Sequence, residues 1–214
     1  MKRREFSLQL AAAGLGSAWA GSVLAQGAPI EGKHYTKLAQ QVPVSVPAGK
    51  IEVVEFFSYG CPHCFALEPT MEVWAKRLPP DVVLKRVPVG FNALYETYQK
   101  IFFALEAMGQ LDQMHRKVFE AIHQQRQRLD KESDLAAFMT ANGVDGAKFI
   151  EHFKSFSVQS KARQAQQLSQ AYKIDGVPTM GVQGRYTTSG AQAGSNERAL
   201  AVADYLIQQV RKPG

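Results

Sequence analysis

The chain has 214 residues, with 25 Lys and Arg against 19 Asp and Glu, a formal net charge of +6. That excess is mild and dispersed. It makes no nucleic-acid stripe, and the Arg- and Gln-rich run from 123 to 131 reads as a solvated helix end. Only two cysteines occur, too few for a disulfide-stapled scaffold.

The N-terminus reads as a signal peptide rather than as part of the fold. Lys2, Arg3 and Arg4 form a positive n-region, residues 8–24 are mildly apolar, and Val23-Leu24-Ala25 offers small residues for cleavage after Ala25. Arg3-Arg4-Glu5-Phe6 partly matches a twin-arginine signal, so the export route stays open. Cleavage leaves about 189 residues, which suits one domain or one domain carrying an insertion. Residues 26–50 are extended and punctuated by Pro and Gly, with a short edge strand expected over 35–38.

Ile51-Glu52-Val53-Val54-Glu55-Phe56-Phe57 predicts a central strand covered on both faces. The run 65–78 predicts a helix that stops at Pro79-Pro80. A second strand is expected over 82–89, with Pro88 near its end. The spacing then turns helical from about 94 to 172. Tyr98, Ile101, Phe102 and Leu105 share one face, and Leu111, Met114, Val118, Ala121 and Ile122 another. Residues 134–142 predict a short helix stopped by Gly143, Asp145 caps the next, and 157–172 is a polar helix. Strands return over 179–182 and 185–188 around Gln183-Gly184, and Ser195 caps a last amphipathic helix. The block between the second strand and the hairpin is far larger than the crossover a parallel pair needs. The expected fold is α/β: a core of 26–92 and 173–214, with 93–172 inserted as a helical subdomain.

The chemistry sits between the first strand and its helix, in Cys61-Pro62-His63-Cys64. A Cys-x-x-Cys there reads as a redox site. A disulfide across so small a ring hardly staples a domain. Zinc is poorly supported, because His34, His115, His123 and His152 are scattered and no set of four ligands is evident. Cys61 at a helix mouth meets unpaired N–H groups and the positive end of the dipole, which favour a thiolate. Pro62 suits the first helical position. His63 can add to the same preference, or stand as a surface residue with no role. Helical geometry turns Cys64 inward and leaves Cys61 as the exposed, attacking sulfur. Glu55, within a buried strand, needs a partner or a raised pKa. Lys85, Arg86 and Glu68 are candidates to face it, the alternative being a solvated Glu at a strand end. On its own residues, Pro178 reads as an ordinary trans loop proline.

Phe56-Phe57-Ser58-Tyr59-Gly60-Cys61-Pro62-His63-Cys64, with Gly176-Val177-Pro178-Thr179 downstream, resembles the DsbA family, periplasmic thiol oxidases of the thioredoxin superfamily. The resemblance spans nearly the whole mature chain and implies a thioredoxin fold with an inserted all-helical subdomain. It implies that a Cys61–Cys64 disulfide is donated to newly exported proteins with cysteines. It also implies a quinone-linked membrane reoxidase of the DsbB type, and no cofactor. The family is itself the standing example of a low cysteine pKa and an oxidising potential, a direction that the resemblance supplies. By position, Pro178 becomes a cis-proline facing the cysteines, with the Val177 backbone free to pair with an extended substrate. Glu55, Glu68 and Arg86 become a proton-transfer group under the buried cysteine, with Arg86 where better-known members carry Lys. The segment 88–94 departs from those members. A monomer is expected. Two other readings remain: an isomerase or reductase on the same fold, and a non-catalytic holdase. The periplasmic isomerases carry an N-terminal dimerisation domain, for which about 25 residues before the first core strand are too few.

Overall fold

The computed structural model describes residues 27–211; the expected leader lies outside them. The strands are β1 (Thr36–Lys37), β2 (Ile51–Phe57), β3 (Val82–Pro88), β4 (Thr179–Val182) and β5 (Tyr186–Ser189). They form one sheet in the order β1-β5-β4-β2-β3. β2 runs parallel to β3 and antiparallel to β4, and β4–β5 is the expected hairpin. Helix α1 (Pro62–Lys76) makes the β2–β3 crossover. Between β3 and β4 lie α2 (Ala93–Ala107), α3 (Leu111–His123), α4 (Glu132–Ala141), α5 (Gly146–Lys154) and α6 (Phe156–Ala171). After β5 come α7 (Gly190–Ala193) and α8 (Asn196–Arg211). This is the thioredoxin fold with an inserted helical block.

Every residue of β2 is buried, because helices cover both faces of the sheet. Alternation sends Ile51 and Val53 into one apolar cluster with Trp74, Leu200 and Leu206. It sends Val54 and Phe56 into the other, with Phe102, Phe119 and Phe149 of the inserted helices. The caps follow the sequence. Asp145 accepts from the Lys148 N–H at 3.0 Å, and Ser195 from the Arg198 N–H at 3.1 Å. Helix α1 begins at Pro62 with Cys61 as its N-cap, as the helix-mouth reading of Cys61 expects. Other details differ. β5 starts one residue late, at Tyr186, because Arg185 closes the turn onto the Val182 carbonyl at 3.0 Å. The short α7, capped by Ser189, was not expected.

Candidate active site

The end of β2 aims the chain at the mouth of α1. The Cys61 N–H donates to the Ser58 carbonyl at 3.0 Å, which turns the loop so that the helix starts at once. Pro62 and His63 face solvent, while Cys61 and Cys64 are 5% and 1% exposed. The expectation of an openly exposed Cys61 sulfur is therefore corrected. The Val177 carbonyl lies 3.3 Å from Cys61 Sγ, so the loop before β4 lies close over the sulfur. Underneath, a side chain at Gly60 would meet the rings of Tyr95 and Tyr98 at 2.7 and 2.9 Å, so only glycine lets them pack there. The Val177–Pro178 peptide is cis, and Pro178 is buried. Both cysteines are free thiols, the dithiol form of the pair.

The two thiols have opposite tendencies. Cys61 is lowered from 9.0, the ordinary thiol value, to about 6. The chief cause is a hydrogen bond from Cys64. Burial opposes it, and the N–H groups of Cys64 and His63 and then the charge of His63 add to it. His63 therefore works in the expected direction but is the smallest of these causes. Cys64 is pushed up, first by burial and then by Cys61.

A buried group of charges includes Glu55, whose charge helps to raise Cys64. In the parallel register Glu55 faces Arg86. Arg86 Nε lies 3.4 Å from Glu55 Oε2, an oxygen that accepts no hydrogen bond. Arg86 Nη1 donates to Glu68 Oε1 at 2.6 Å. Lys85, the other candidate, points to the opposite face and pairs with Glu52 at 2.6 Å, as neighbours on a strand must. Burial raises Glu55 to about 7, against the pull of Arg86 and with the help of Glu68's charge. Burial also opposes ionisation of Glu68. A hydrogen bond from His115 and the proximity of Arg86 outweigh it and hold that carboxyl below its ordinary value.

Sequence reasoning missed two members of this group. His115 of α3 places Nε2 against Arg86 Nη1 and 3.5 Å from Glu68 Oε2. Its Nδ1 meets the Tyr59 hydroxyl at 2.7 Å. Tyr59 is fully buried, two residues before Cys61, and its carbonyl also accepts from His123 Nε2 at 2.8 Å. The available signal was the place of His115 on the apolar stripe of α3, one turn before Val118 and Phe119.

A thioredoxin fold with a low-pKa cysteine at a helix mouth and a buried second cysteine one turn on defines a thiol:disulfide oxidoreductase. The DSBA-like thioredoxin domain matches residues 52–197. The thiol:disulfide interchange protein DsbA of Bordetella pertussis is 46% identical over 215 residues, covering 99% of this chain and 100% of that protein. The DsbA of Pseudomonas aeruginosa is 44% identical over 180 residues, covering 84% of this chain and 85% of that protein. A crystal structure of Pseudomonas aeruginosa DsbA superposes with a TM-score of 0.82 at 43% identity, over 86% of this chain and 95% of that one. The chain belongs to the DsbA family.

Proposed function

We propose that the protein is a periplasmic dithiol oxidase whose Cys61–Cys64 disulfide passes to newly exported proteins. A substrate thiolate attacks Cys61 Sγ, the Cys61–Cys64 bond breaks, and Cys64 leaves with the electron pair and takes up a proton. A second substrate thiolate then attacks the mixed disulfide, and Cys61 leaves as a thiolate. The observation that carries this reading is the contrast between the thiols. The helix-mouth sulfur of Cys61 is lowered to about 6, and its neighbour is raised. A stabilised thiolate is a good leaving group, and it makes the disulfide easy to reduce.

In this reading the Val177 backbone beside Pro178 pairs with an extended substrate, which gives binding with little sequence preference. Pro62 and His63 tune Cys61, and Glu55, Glu68 and Arg86 handle the proton of Cys64. The leader is cut near Ala25, the mature protein is a monomer, and a quinone-linked membrane partner of the DsbB type reoxidises it. No cofactor is required. The test is the reduction potential of the pair, measured by equilibration with glutathione buffers. A value well above about −270 mV, that of thioredoxin, is expected. A value near thioredoxin's would point to a reductase. Cys61→Ala should abolish turnover, whereas a holdase would keep its full activity.

A further inference from the structure

The buried group of charges has one fixed positive charge, Arg86 of β3, and two carboxyls, Glu55 of β2 and Glu68 of α1. With both carboxyls ionised it would bury a net negative charge, which is costly at this depth. One proton therefore stays in the group. Glu55 is one place for it, since Glu55 Oε2 is buried and accepts no hydrogen bond.

We propose that His115 is the second residence of that proton, a positioning residue that acts on Cys64 through Glu68, Arg86 and Glu55. With the proton on Glu55, the Arg86–Glu68 pair is balanced and the imidazole is neutral. With the proton on His115, two cations face two carboxylates. Both arrangements are neutral overall, and they differ by one internal proton move. The geometry serves both. Nε2 lies 3.5 Å from Glu68 Oε2, within ion-pair reach of an imidazolium. It also lies against Arg86 Nη1, where a neutral ring offers its lone pair. The Tyr59 hydroxyl, 2.7 Å from Nδ1, can donate to a bare nitrogen or accept from an N–H. Burial, and then the charge of Arg86, hold the ring below its ordinary value, while Glu68 and Glu72 of α1 favour its protonated form; Phe57, Phe102 and Phe119 pack around it. Glu68 also lines a cleft of about 200 Å³ between α1 and α3, which brings solvent protons close.

This inference rests on the oxidase reading for its place in the cycle. When Cys64 leaves as a thiolate, Glu55 gives it a proton and the group becomes negative. A solvent proton then enters at His115 or returns to Glu55. Reoxidation by the quinone-linked membrane partner takes the two electrons and runs the proton transfer backwards, so no further base is needed.

The test is nitrogen NMR of the mature protein with isotope-labelled histidine, oxidised and reduced, from about pH 4 to about pH 9. The His115 signals are identified by loss in His115→Gln. The expected result is a titration of His115 whose midpoint differs between the two redox states and moves to lower pH in Glu55→Gln. One unchanging tautomer at every pH would overturn the proposal. So would a titration identical in both redox states and indifferent to Glu55→Gln. In a second measurement, His115→Gln should lose one ionisation from the pH profile of turnover; an unaltered profile would also overturn it. If His115→Gln does not fold, the wild-type and Glu55→Gln spectra still decide. A thioredoxin-like reduction potential would sink the oxidase reading and leave the His115 titration standing, so the two failures are distinguishable.

Discussion

Removing the Cys64 thiol should raise the pKa of Cys61 more than any other single change near it. The hydrogen bond from Cys64 is the largest cause holding Cys61 at about 6 rather than at 9.0. The gap between those values corresponds to about 4 kcal/mol in favour of the thiolate, an upper bound because solvent screens a sulfur near the surface. The sign follows from linkage. A depressed pKa stabilises the folded dithiol form fully above pH 9 and not at all well below pH 6. At pH 7 the thiolate exceeds the thiol about tenfold, which is about 1.4 kcal/mol. For a two-electron couple that is about 30 mV of added oxidising power from Cys61 alone. The assay is the pH titration of thiolate ultraviolet absorbance in the reduced protein, checked by alkylation rate. Wild type should show a midpoint near 6, and Cys64→Ala a midpoint higher by about one unit or more. His63→Ala should move it less, because the charge of His63 is the smallest cause. If Cys64→Ala leaves the midpoint in place, the helix mouth rather than the second thiol holds the thiolate, and the reasoning fails.

Glu55→Gln should stabilise the protein at neutral and higher pH. A carboxyl raised from 4.5 to about 7 contributes stability that is present below pH 4.5 and lost as the pH rises through 7. Ionising it in place costs at most about 3 kcal/mol, so the variant should gain up to that amount above pH 7 and nothing near pH 4. Urea midpoints at the two pH values check this, and equal gains at both would contradict it. Gly184→Ala should destabilise by more than ~1 kcal/mol, seen as a lower urea midpoint. At φ +62 its Cβ would meet the Val42 carbonyl oxygen at 1.9 Å. An unchanged midpoint would mean that the 39–50 segment does not pack there.

The parts legible in the sequence are those written in local pattern. β2 announces itself as seven residues without a turn, five of them apolar and β-prone, and α5 by Asp145 at its mouth. The helical insertion shows as a long change of period. What stayed hidden depends on pairs far apart in the chain. For Glu55 the residues alone left Arg86 and Lys85 as candidates, and it is strand register and alternation that decide for Arg86. His115 stood in the sequence as one scattered histidine. Its partners come from β3, α1 and the Tyr59 loop, and no spacing rule links those three segments. The loop over Cys61 Sγ came only from the family resemblance and from no local pattern, since Val177 lies 116 residues away.

The placement of the two cysteines on α1 accounts for the direction of exchange. Cys61 is the N-cap, where backbone N–H groups lack helical partners and can face a sulfur anion. Cys64 lies one turn inside, where those groups are spent on the helix and burial penalises charge. The same hydrogen bond lowers one thiol and raises the other, so neither value can be tuned alone. Of the two residues Cys64 is the more deeply buried, 1% exposed against 5% for Cys61, which favours attack at Cys61. That attack expels the buried Cys64 sulfur, whose pKa is raised. A thiolate with a raised pKa accepts a proton readily there, and once protonated it is a poor nucleophile for reversing the step. Burial thus makes the outgoing sulfur easy to quench, while the helix mouth keeps Cys61 ready to leave when the second substrate thiolate arrives.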